Sequence, residues 1–412
     1  MSQAESEKSP AITRHSPILL GINKLGLSFR LRVRCDVTPT YLPILKSLTS
    51  EYEASKHMDA TDAAVIHPLF DVPVISENRQ KAKKYQNSPA PKSDYLDEVA
   101  ESIAKYWKGD LVLVDAFNWA PDATVETGEH ALVYLHSSLK AQGVGVAPVV
   151  GYDRWDDQIY QLAMRGLDLS GSPYVCFRLE ASAVEDAAEP DVFHDRMQEM
   201  LEDLQLSPAD CAALLDLGDL SSKPLMEITN DATRVLELLN GYGFRYIATA
   251  GSSMPKSVDL AVKKKDSTAK VIRKEMLLWR ALRTEFNGIP LVFGDYGVRG
   301  PGSNDAIRNP NANAKIRYTC DKAFLISRGH SVAEGWAIQM PAVAAQIVNS
   351  KEFLPGFSWG DQIIFDCSNH LPVKNGHGKW IAYDTSHHLA FVVEEVREFE
   401  RSLISTPSGA TA

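Results

Sequence analysis

The chain has 412 residues, of which 44% are hydrophobic and 23% are charged, a composition typical of a globular protein with room for one large domain and an extension, or for two or three small domains. Its formal net charge of -10 argues against nucleic-acid binding through the surface as a whole. The five cysteines are scattered and form no Cys-x-x-Cys pair, which predicts reduced thiols rather than a disulfide framework or a zinc site, and no apolar run reaches the ~18 residues that span a bilayer.

Eight short apolar runs recur along the chain and predict strands that are buried on both faces, as in a parallel sheet. These runs are Tyr41–Lys46, Ala64–Val72, Leu111–Phe117, Val144–Tyr152, Tyr174–Glu180, Cys211–Asp219, Arg245–Ser252 and Ile289–Gly297. Amphipathic helical patterns lie between most of them, and the clearest is Ser93–Lys108, with Ser93 as the expected N-cap.

This alternation of strand and helix predicts an α/β fold, namely a (β/α)8 TIM-barrel-like domain. An open doubly wound sheet is the alternative, and it would normally carry a G-x-G-x-x-G turn, which follows none of these strands. Beyond residue 300 the pattern changes to a polar loop over 304–314, a strand at Lys322–Ser327, and helices over Val332–Ser350 and His387–Arg401.

We predict four segments from these patterns. They are a flexible N-terminal tail (1–38), the barrel-like domain (39–303), an α/β C-terminal extension packed on the barrel (304–402) and a flexible C-terminal tail (403–412). A barrel of this kind keeps its active site at the C-terminal ends of its strands, so polar side chains at those ends are the first candidates for function.

The predicted strand ends supply the residues of a polar pocket. They are Lys46, Asp115, Arg178, Glu180, Asp216, Asp295 and Tyr296. Arg178 and Glu180 are the most informative, because they lie in an apolar run and share one face of the strand with Cys176. A charge inside a barrel needs a partner, so an ion pair that only supports the barrel stays open as the alternative. Arg178 and Lys46 favour an anionic ligand such as a phosphate or a nucleotide.

Motifs for metal and cofactor binding are not found in the sequence. His387 and His388 are adjacent and therefore point to different sides of a helix or strand, and no H-E-x-x-H or H-x-H is present. No P-loop, G-x-S-x-G elbow or kinase signature occurs. We therefore expect no metal and no cofactor.

Several stretches carry a resemblance to a known family by their order and spacing. Among them are YLPILK (41–46), HPLFDVP (67–73), LLDLGDL (214–220), ATAGSSMP (248–255), FGDYG (293–297), FSWGDQII (357–364) and HHL (387–389). Over about residues 40–400 this series resembles the Beta protein family of bacteria and phages. The resemblance implies a barrel-type α/β domain, a cytoplasmic location and a role in phage–host conflict, and it carries over no catalytic residue.

Two functions follow as expectations. The first is a recognition or sensor subunit of a bacterial phage-defence or phage-encoded counter-defence system, with a protein partner such as a nuclease or a phage protein. The alternative is a TIM-barrel enzyme that acts on a phosphorylated or nucleotide-like molecule by acid/base chemistry. Ligand contacts are also predicted for residues in the family-like stretches of the extension, namely Arg317, Arg328, Asp361 and His387. Assembly into a homo-oligomer stays open.

Overall fold

The computed structural model describes residues 38–107, 109–303 and 312–405. The predicted N-terminal tail up to residue 37, most of the predicted loop over 304–314 and the C-terminal tail beyond residue 405 lie outside the described residues.

The described strands fall into a barrel and a small second sheet. They are β1 (Tyr41–Leu45), β2 (Leu69–Asp71), β3 (Leu111–Asp115), β4 (Gly145–Gly151), β5 (Val175–Leu179), β6 (Cys211–Asp219), β7 (Ile247–Ser252), β8 (Ser267–Ile272), β9 (Leu291–Asp295), β10 (Asn313–Cys320) and β11 (Ala323–Ser331). Parallel strands β1 to β7 pair in chain order, and β9 closes the barrel between β7 and β1. The eight predicted runs supply these eight strands, so the (β/α)8 TIM-barrel-like prediction is confirmed.

The described helices surround the barrel and build the extension. They are α1 (Thr49–Lys56), α2 (Ala60–Ala63), α3 (Glu77–Gln80), α4 (Lys83–Gln86), α5 (Pro91–Tyr106), α6 (Ala131–Ala141), α7 (Gln158–Arg165), α8 (Ala181–Asp186), α9 (Pro190–Asp203), α10 (Leu225–Leu239), α11 (Val258–Ala261), α12 (Lys274–Glu285), α13 (Trp336–Val348), α14 (Trp359–Ser368) and α15 (His377–Ser405). Helix α5 begins at Pro91 and not after Ser93, because proline suits the first helical turn, where its missing N–H costs nothing. Helix α15 begins at His377, well before the predicted start at His387.

The second sheet is antiparallel and has the order β10-β11-β8. Strand β8 was not predicted, and its residues alternate between half-buried and exposed, so its sequence STAKVI carries only a weak apolar signal. It lies within the predicted barrel range 39–303 but pairs with β11 of the extension. The extension therefore takes one strand from a segment between two barrel strands.

Alternation along the strands fills the barrel interior with apolar side chains. The inner layer is formed by Leu42, Ile44, Leu69, Leu111, Leu113, Ala147, Val149, Cys176, Ala212, Leu214, Ala248 and Val292. Residues two positions further along a strand share the same face, so the interior layer continues into Asp115 on β3, Arg178 on β5 and Asp216 on β6. The C-terminal end of the barrel is thus charged on its inner face.

Candidate functional site

Arg178 lies at the centre of a buried ionic network at this end of the barrel. Its Nη1 donates to Asp71 Oδ1 at 2.7 Å and to Asp115 Oδ2 at 2.9 Å. Its Nε and Nη2 donate to Asp216 Oδ2 at 2.9 and 2.6 Å. The Phe117 ring covers the guanidinium, with its centroid 4.0 Å from Cζ. All three guanidinium nitrogens therefore have carboxylate partners, as a fully buried charge requires.

A second guanidinium completes the neutralisation of Asp115. Arg154, in the loop after β4, binds this carboxylate through both terminal nitrogens at 2.7 and 3.0 Å. This fork geometry is the strongest arrangement for an arginine–carboxylate pair. Gly151 makes room for it, since a Cβ at this position would lie 2.2 Å from Arg154 Nε.

Tyr296 extends the network towards solvent. Its hydroxyl donates to Asp216 Oδ2 at 2.6 Å and accepts from Arg178 Nη2 at 3.1 Å. Burial raises the pKa of Tyr296 well above its usual value, so the phenol keeps its proton. Burial also raises the pKa of Asp71 to about 6, against the opposing effect of the Arg178 charge. We call Asp71, Asp115, Arg154, Arg178, Asp216 and Tyr296 the floor network.

Glu180 differs from the other acids at this end of the barrel. It follows β5 directly, at the start of α8, and is only 8% exposed. Its Oε1 lies 3.4 Å from Arg178 Nε, yet among the described residues this buried oxygen accepts no hydrogen bond. Burial raises the pKa of Glu180 to about 8, although the nearby Arg178 and Arg154 charges oppose the shift. Glu180 therefore holds a proton near neutral pH.

A cavity of about 840 Å³ lies above the floor network and is called the mouth cavity below. Its polar lining includes Glu180, Asp216, Lys223, Arg234, Lys256 and Tyr296, and its apolar lining includes Phe117, Val184 and Leu217. These residues come from the segments that follow β3, β5, β6, β7 and β9, so the cavity opens at the C-terminal ends of the strands. Ligand sites of barrel enzymes are built at this face.

The predicted pocket residues divide into three groups. Glu180, Asp216 and Tyr296 line the mouth cavity, and Asp115 and Arg178 lie in the floor network. Lys46 donates instead to the carbonyl of Pro301 and the hydroxyl of Ser303, both at 3.1 Å, and so holds the loop after β9.

The prediction for Asp295 needs correction. This residue faces the outside of the barrel, where it accepts hydrogen bonds from Tyr41 at 2.5 Å and pairs with His388 Nε2 of α15 at 3.0 Å. Arg273 lies 3.6 Å away. Asp295 has the opposite strand parity to Tyr296, so it points away from the cavity and towards His388 and Arg273. We call Tyr41, Arg273, Asp295 and His388 the outer network.

The four predicted ligand contacts of the extension lie within its own packing, and none lines the mouth cavity. The Arg317 backbone N–H donates to Asp384 at 3.1 Å, and Arg328 donates to the Val262 carbonyl at 2.5 Å. Asp361 pairs with His387 Nδ1 at 3.0 Å and accepts from the Tyr318 hydroxyl at 2.7 Å. Their role in ligand binding stays a prediction.

The predicted set lacked Val184, Leu217, Lys223, Arg234 and Lys256 of the cavity lining. It also lacked Asp71, Phe117 and Arg154, which lie around Arg178. Asp71 is near the end of the predicted strand Ala64–Val72 and Arg154 follows the predicted strand Val144–Tyr152, but a polar residue at a strand end is also common in ordinary turns. Phe117 carried no polar signal at all. Only the three-dimensional closure of the barrel brings them against Arg178.

Comparison with known families adds one finding. The model of the Beta protein family matches residues 41–394, from the first residue of β1 into α15. The chain belongs to the Beta protein family. The matched range of this Beta protein family member includes the mouth cavity and both networks. A search of the curated proteins finds no similar sequence.

Within the described ranges, no cluster of three or more His, Cys, Asp or Glu side chains is arranged to hold a metal ion. None of the helices in the part of the chain that the structure describes is both long enough and apolar enough to cross a bilayer.

Proposed function

We propose that this protein recognises a small polar molecule in the mouth cavity, and that the carboxyl group of Glu180 binds this molecule directly. The observation that carries the proposal is the buried Oε1 of Glu180, which accepts no hydrogen bond within the described chain although its carboxyl group lines the cavity. A buried polar atom without a partner destabilises the fold, so its retention at a cavity favours a role in binding.

The floor network supports this assignment by its contrast with Glu180. Arg178 and the three aspartates that bind it satisfy each other and leave the guanidinium no nitrogen without a carboxylate partner. This arrangement holds Asp216 and Tyr296 in fixed positions at the base of the cavity, which is the preorganisation that a specific site needs. Glu180 is then the group free to respond to a ligand.

An acid/base enzyme is the second candidate, and one observation favours it. A general acid or base works best when its pKa lies near the working pH, and burial raises the pKa of Glu180 to about 8. Such an enzyme would use Glu180 for proton transfer, with Tyr296 and Asp216 as hydrogen-bonding groups around the reacting molecule. This reading and the sensor reading share the same site and differ in whether the bound molecule is changed.

The part of the proposal that concerns phage defence rests on the family resemblance of the sequence. We propose that ligand recognition serves a bacterial defence or phage counter-defence system, with a nuclease or a phage protein as partner. Phage plaque counts on bacteria that carry the intact gene, compared with bacteria that carry the Glu180→Gln variant, test this part. Equal plaque counts with the gene, with the variant and without the gene would contradict it.

Ligand binding itself is tested by native mass spectrometry of the purified protein, followed by thermal-shift titration with the molecules that copurify. Glu180→Gln should abolish the shift at neutral pH or weaken it strongly, because the carboxylate is lost while its size is kept. Glu185→Gln is the matched control, since Glu185 also lines the cavity but is exposed. If both variants bind the copurified molecule as the wild type does, the proposed site is wrong.

A further inference from the structure

The charge of the cavity base limits what it can bind. Four carboxyl groups meet there, those of Asp71, Asp115, Glu180 and Asp216, against the two guanidiniums of Arg154 and Arg178. With the three aspartates counted as carboxylates and Glu180 neutral near pH 7, the base carries one more negative than positive charge, and ionisation of Glu180 makes the excess two. A low-dielectric pocket with this imbalance attracts cations and repels anions.

The two guanidiniums offer little to an incoming anion. Arg178 directs its nitrogens at Asp71, Asp115, Asp216 and the Tyr296 hydroxyl, all at 3.3 Å or less. Arg154 uses both terminal nitrogens on Asp115, and its Nε, which makes no hydrogen bond within the described residues, lies beside Gly151, in a residue that does not line the cavity. A phosphate at the base would have to break these bonds in a buried site, which is costly.

Glu180 is the group that this imbalance leaves without a full partner. Its carboxyl lies against the cavity, 3.4 Å from a guanidinium nitrogen that already donates to Asp216. An N–H donor with a positive charge would satisfy the buried Oε1 and also correct the charge of the base.

We propose that the base of the mouth cavity binds the protonated amine or guanidinium end of a small organic molecule, with Glu180 as its direct partner. This inference rests on the proposed function and names the ligand class for the same site. Phe117, Val184 and Leu217 in the lining suit the carbon chain of such a molecule. The volume of about 840 Å³ is ample for a linear amine.

The rim of the cavity carries both signs of charge. Lys223, Arg234 and Lys256 line it together with Glu185, Asp219 and Asp231. Three cationic and three acidic side chains balance, so the rim selects neither cations nor anions by its net charge. The selection at the base therefore decides which end of an amine-containing molecule enters first.

Binding of an amine at this position should release a proton from the protein. The empty site holds Glu180 as a neutral carboxylic acid near pH 7, because burial raises its pKa to about 8. Pairing with R–NH₃⁺ favours the ionised carboxylate, so the Glu180 proton passes to the buffer and the ligand keeps its own. Arg154 and Arg178 keep their charge near pH 7, because their carboxylate partners raise their pKa values against the effect of burial. Asp71, whose pKa burial raises to about 6, also lies at the base, so the loss of proton release in Glu180→Gln is what assigns the proton to Glu180.

The test is isothermal titration calorimetry of the full chain with putrescine, agmatine and spermidine, each in two buffers of different ionisation enthalpy. Inorganic phosphate, glucose 6-phosphate, citrate and magnesium chloride are the comparison probes. We expect at least one amine to bind with release of close to one proton at pH 7 and of none at pH 9.5. Glu180→Gln should weaken binding by ~10–100-fold, the usual effect of losing a charged hydrogen-bond partner, and should remove the proton release. Glu199→Gln, at an exposed position of α9 that does not line the cavity, should do neither.

The outcomes separate the ligand class from the proposed function. Binding of an anion or of magnesium that depends on Glu180, with no binding of any amine, overturns the amine proposal and leaves small-molecule recognition standing. Equal amine binding by wild type and Glu180→Gln places the amine elsewhere and also overturns it. No binding of any probe overturns the amine proposal, and recognition then depends on the copurified molecules. Glu180→Ala, which keeps no amide to bond the ligand, checks that Gln does not substitute for the carboxylate.

Discussion

Two neighbouring residues at the end of β9 belong to opposite sides of the barrel wall. Tyr296 points inward to the floor network, whereas Asp295 points outward to α15 and the outer network. Each group contains buried arginine, carboxylate and tyrosine side chains, and each has members that are fully buried. The difference is that the outer network is covered by the extension, whereas the floor network lies under an open cavity.

This contrast teaches that charge and burial alone do not identify a site. The Asp295 carboxylate binds His388, Tyr41 and the Gly297 N–H, so it has no atom left for a ligand. Glu180 is nearly as buried and has an oxygen without a hydrogen bond. Arg273 of the outer network also has two buried nitrogens without a hydrogen bond, so access from the cavity is what distinguishes the inner face from the outer one.

The largest expected effect breaks the floor network itself. Arg178→Met leaves three buried aspartates without their common partner and should lower the free energy of unfolding by ~3–5 kcal/mol. Equilibrium denaturation with guanidinium chloride at pH 7 measures this change in the free energy of unfolding. Arg165→Met removes an ion pair of a partly exposed arginine with Asp203 and should cost at most ~1 kcal/mol. A similar small loss for both variants would show that Arg178 does not hold the floor together.

The next effect concerns the outer network. Asp295→Ala should lower the free energy of unfolding by roughly 3 kcal/mol, because it leaves His388 without its buried carboxylate, whereas Arg273 keeps its partner Glu395. A double-mutant cycle with His388→Ala should show a coupling of about 1–2 kcal/mol. Ligand affinity per folded molecule should be unchanged. Lost ligand binding at unchanged stability would instead place Asp295 in the functional site.

The two sides should also respond to pH with opposite signs. Glu180 has a folded pKa of about 8 against 4.5 unfolded, so the folded state holds an extra proton between these values and loses stability as pH rises through them. At about 1.4 kcal/mol per pKa unit, the loss from pH 5 to pH 8 relative to Glu180→Gln is on the order of 3 kcal/mol. Urea denaturation of both proteins at these two pH values measures this loss. An equal change in unfolding free energy for wild type and Glu180→Gln would contradict a raised pKa at Glu180.

On the outer side, burial lowers the pKa of His388 against the opposing effect of Asp295. The pKa of Asp295 is also held below its usual value, because the His388 and Arg273 partners outweigh the effect of burial. Unfolding therefore takes up protons at both residues as pH falls below the unfolded values of about 6.5 and 3.9, and their contribution to stability is lost in acid. His388→Ala should reduce the acid sensitivity between pH 6.5 and 5 in the same denaturation experiment. An unchanged slope would exclude His388 as its source.

The smallest expected effect is a single hydroxyl. Tyr296→Phe removes one hydrogen bond to Asp216 and one from Arg178, and should cost about 1 kcal/mol of unfolding free energy, since Asp216 keeps its bonds to the guanidinium. Differential scanning calorimetry with Tyr41→Phe as the matched outer-side variant gives the comparison. Only the Tyr296 variant should also change ligand affinity, and an equal effect of both on binding would contradict the assignment of the two faces.

The barrel could be predicted from sequence because its strands are nearly continuous apolar runs with helical patterns between them. Strand β8 was missed because each second residue faces solvent and the strand pairs with β11, far along the chain. The pairing of Arg178 with acidic partners was foreseen as an alternative, since a charge in the barrel interior needs a counter-charge. Which aspartates supply it depends on barrel closure, which brings Asp71 across to β5.

The position of Asp295 was within reach of sequence reasoning but was not recognised. Val292 faces the barrel interior, so two-residue alternation places Tyr296 inside and Asp295 outside. The partner of Asp295 was not within reach, because His388 lies in a predicted helix but the sequence does not show against which strand that helix packs. The unsatisfied oxygen of Glu180 has no sequence signal, since it depends on where every neighbouring donor points.

The most direct test is a structure of the protein in complex with whichever of putrescine, agmatine and spermidine binds most tightly. We expect a ligand nitrogen within ~3 Å of a Glu180 carboxylate oxygen, with the carbon chain against Phe117 and the floor network unchanged. An amine bound in the mouth cavity away from Glu180, or a cavity that stays empty at a saturating concentration of that amine, would overturn the assignment.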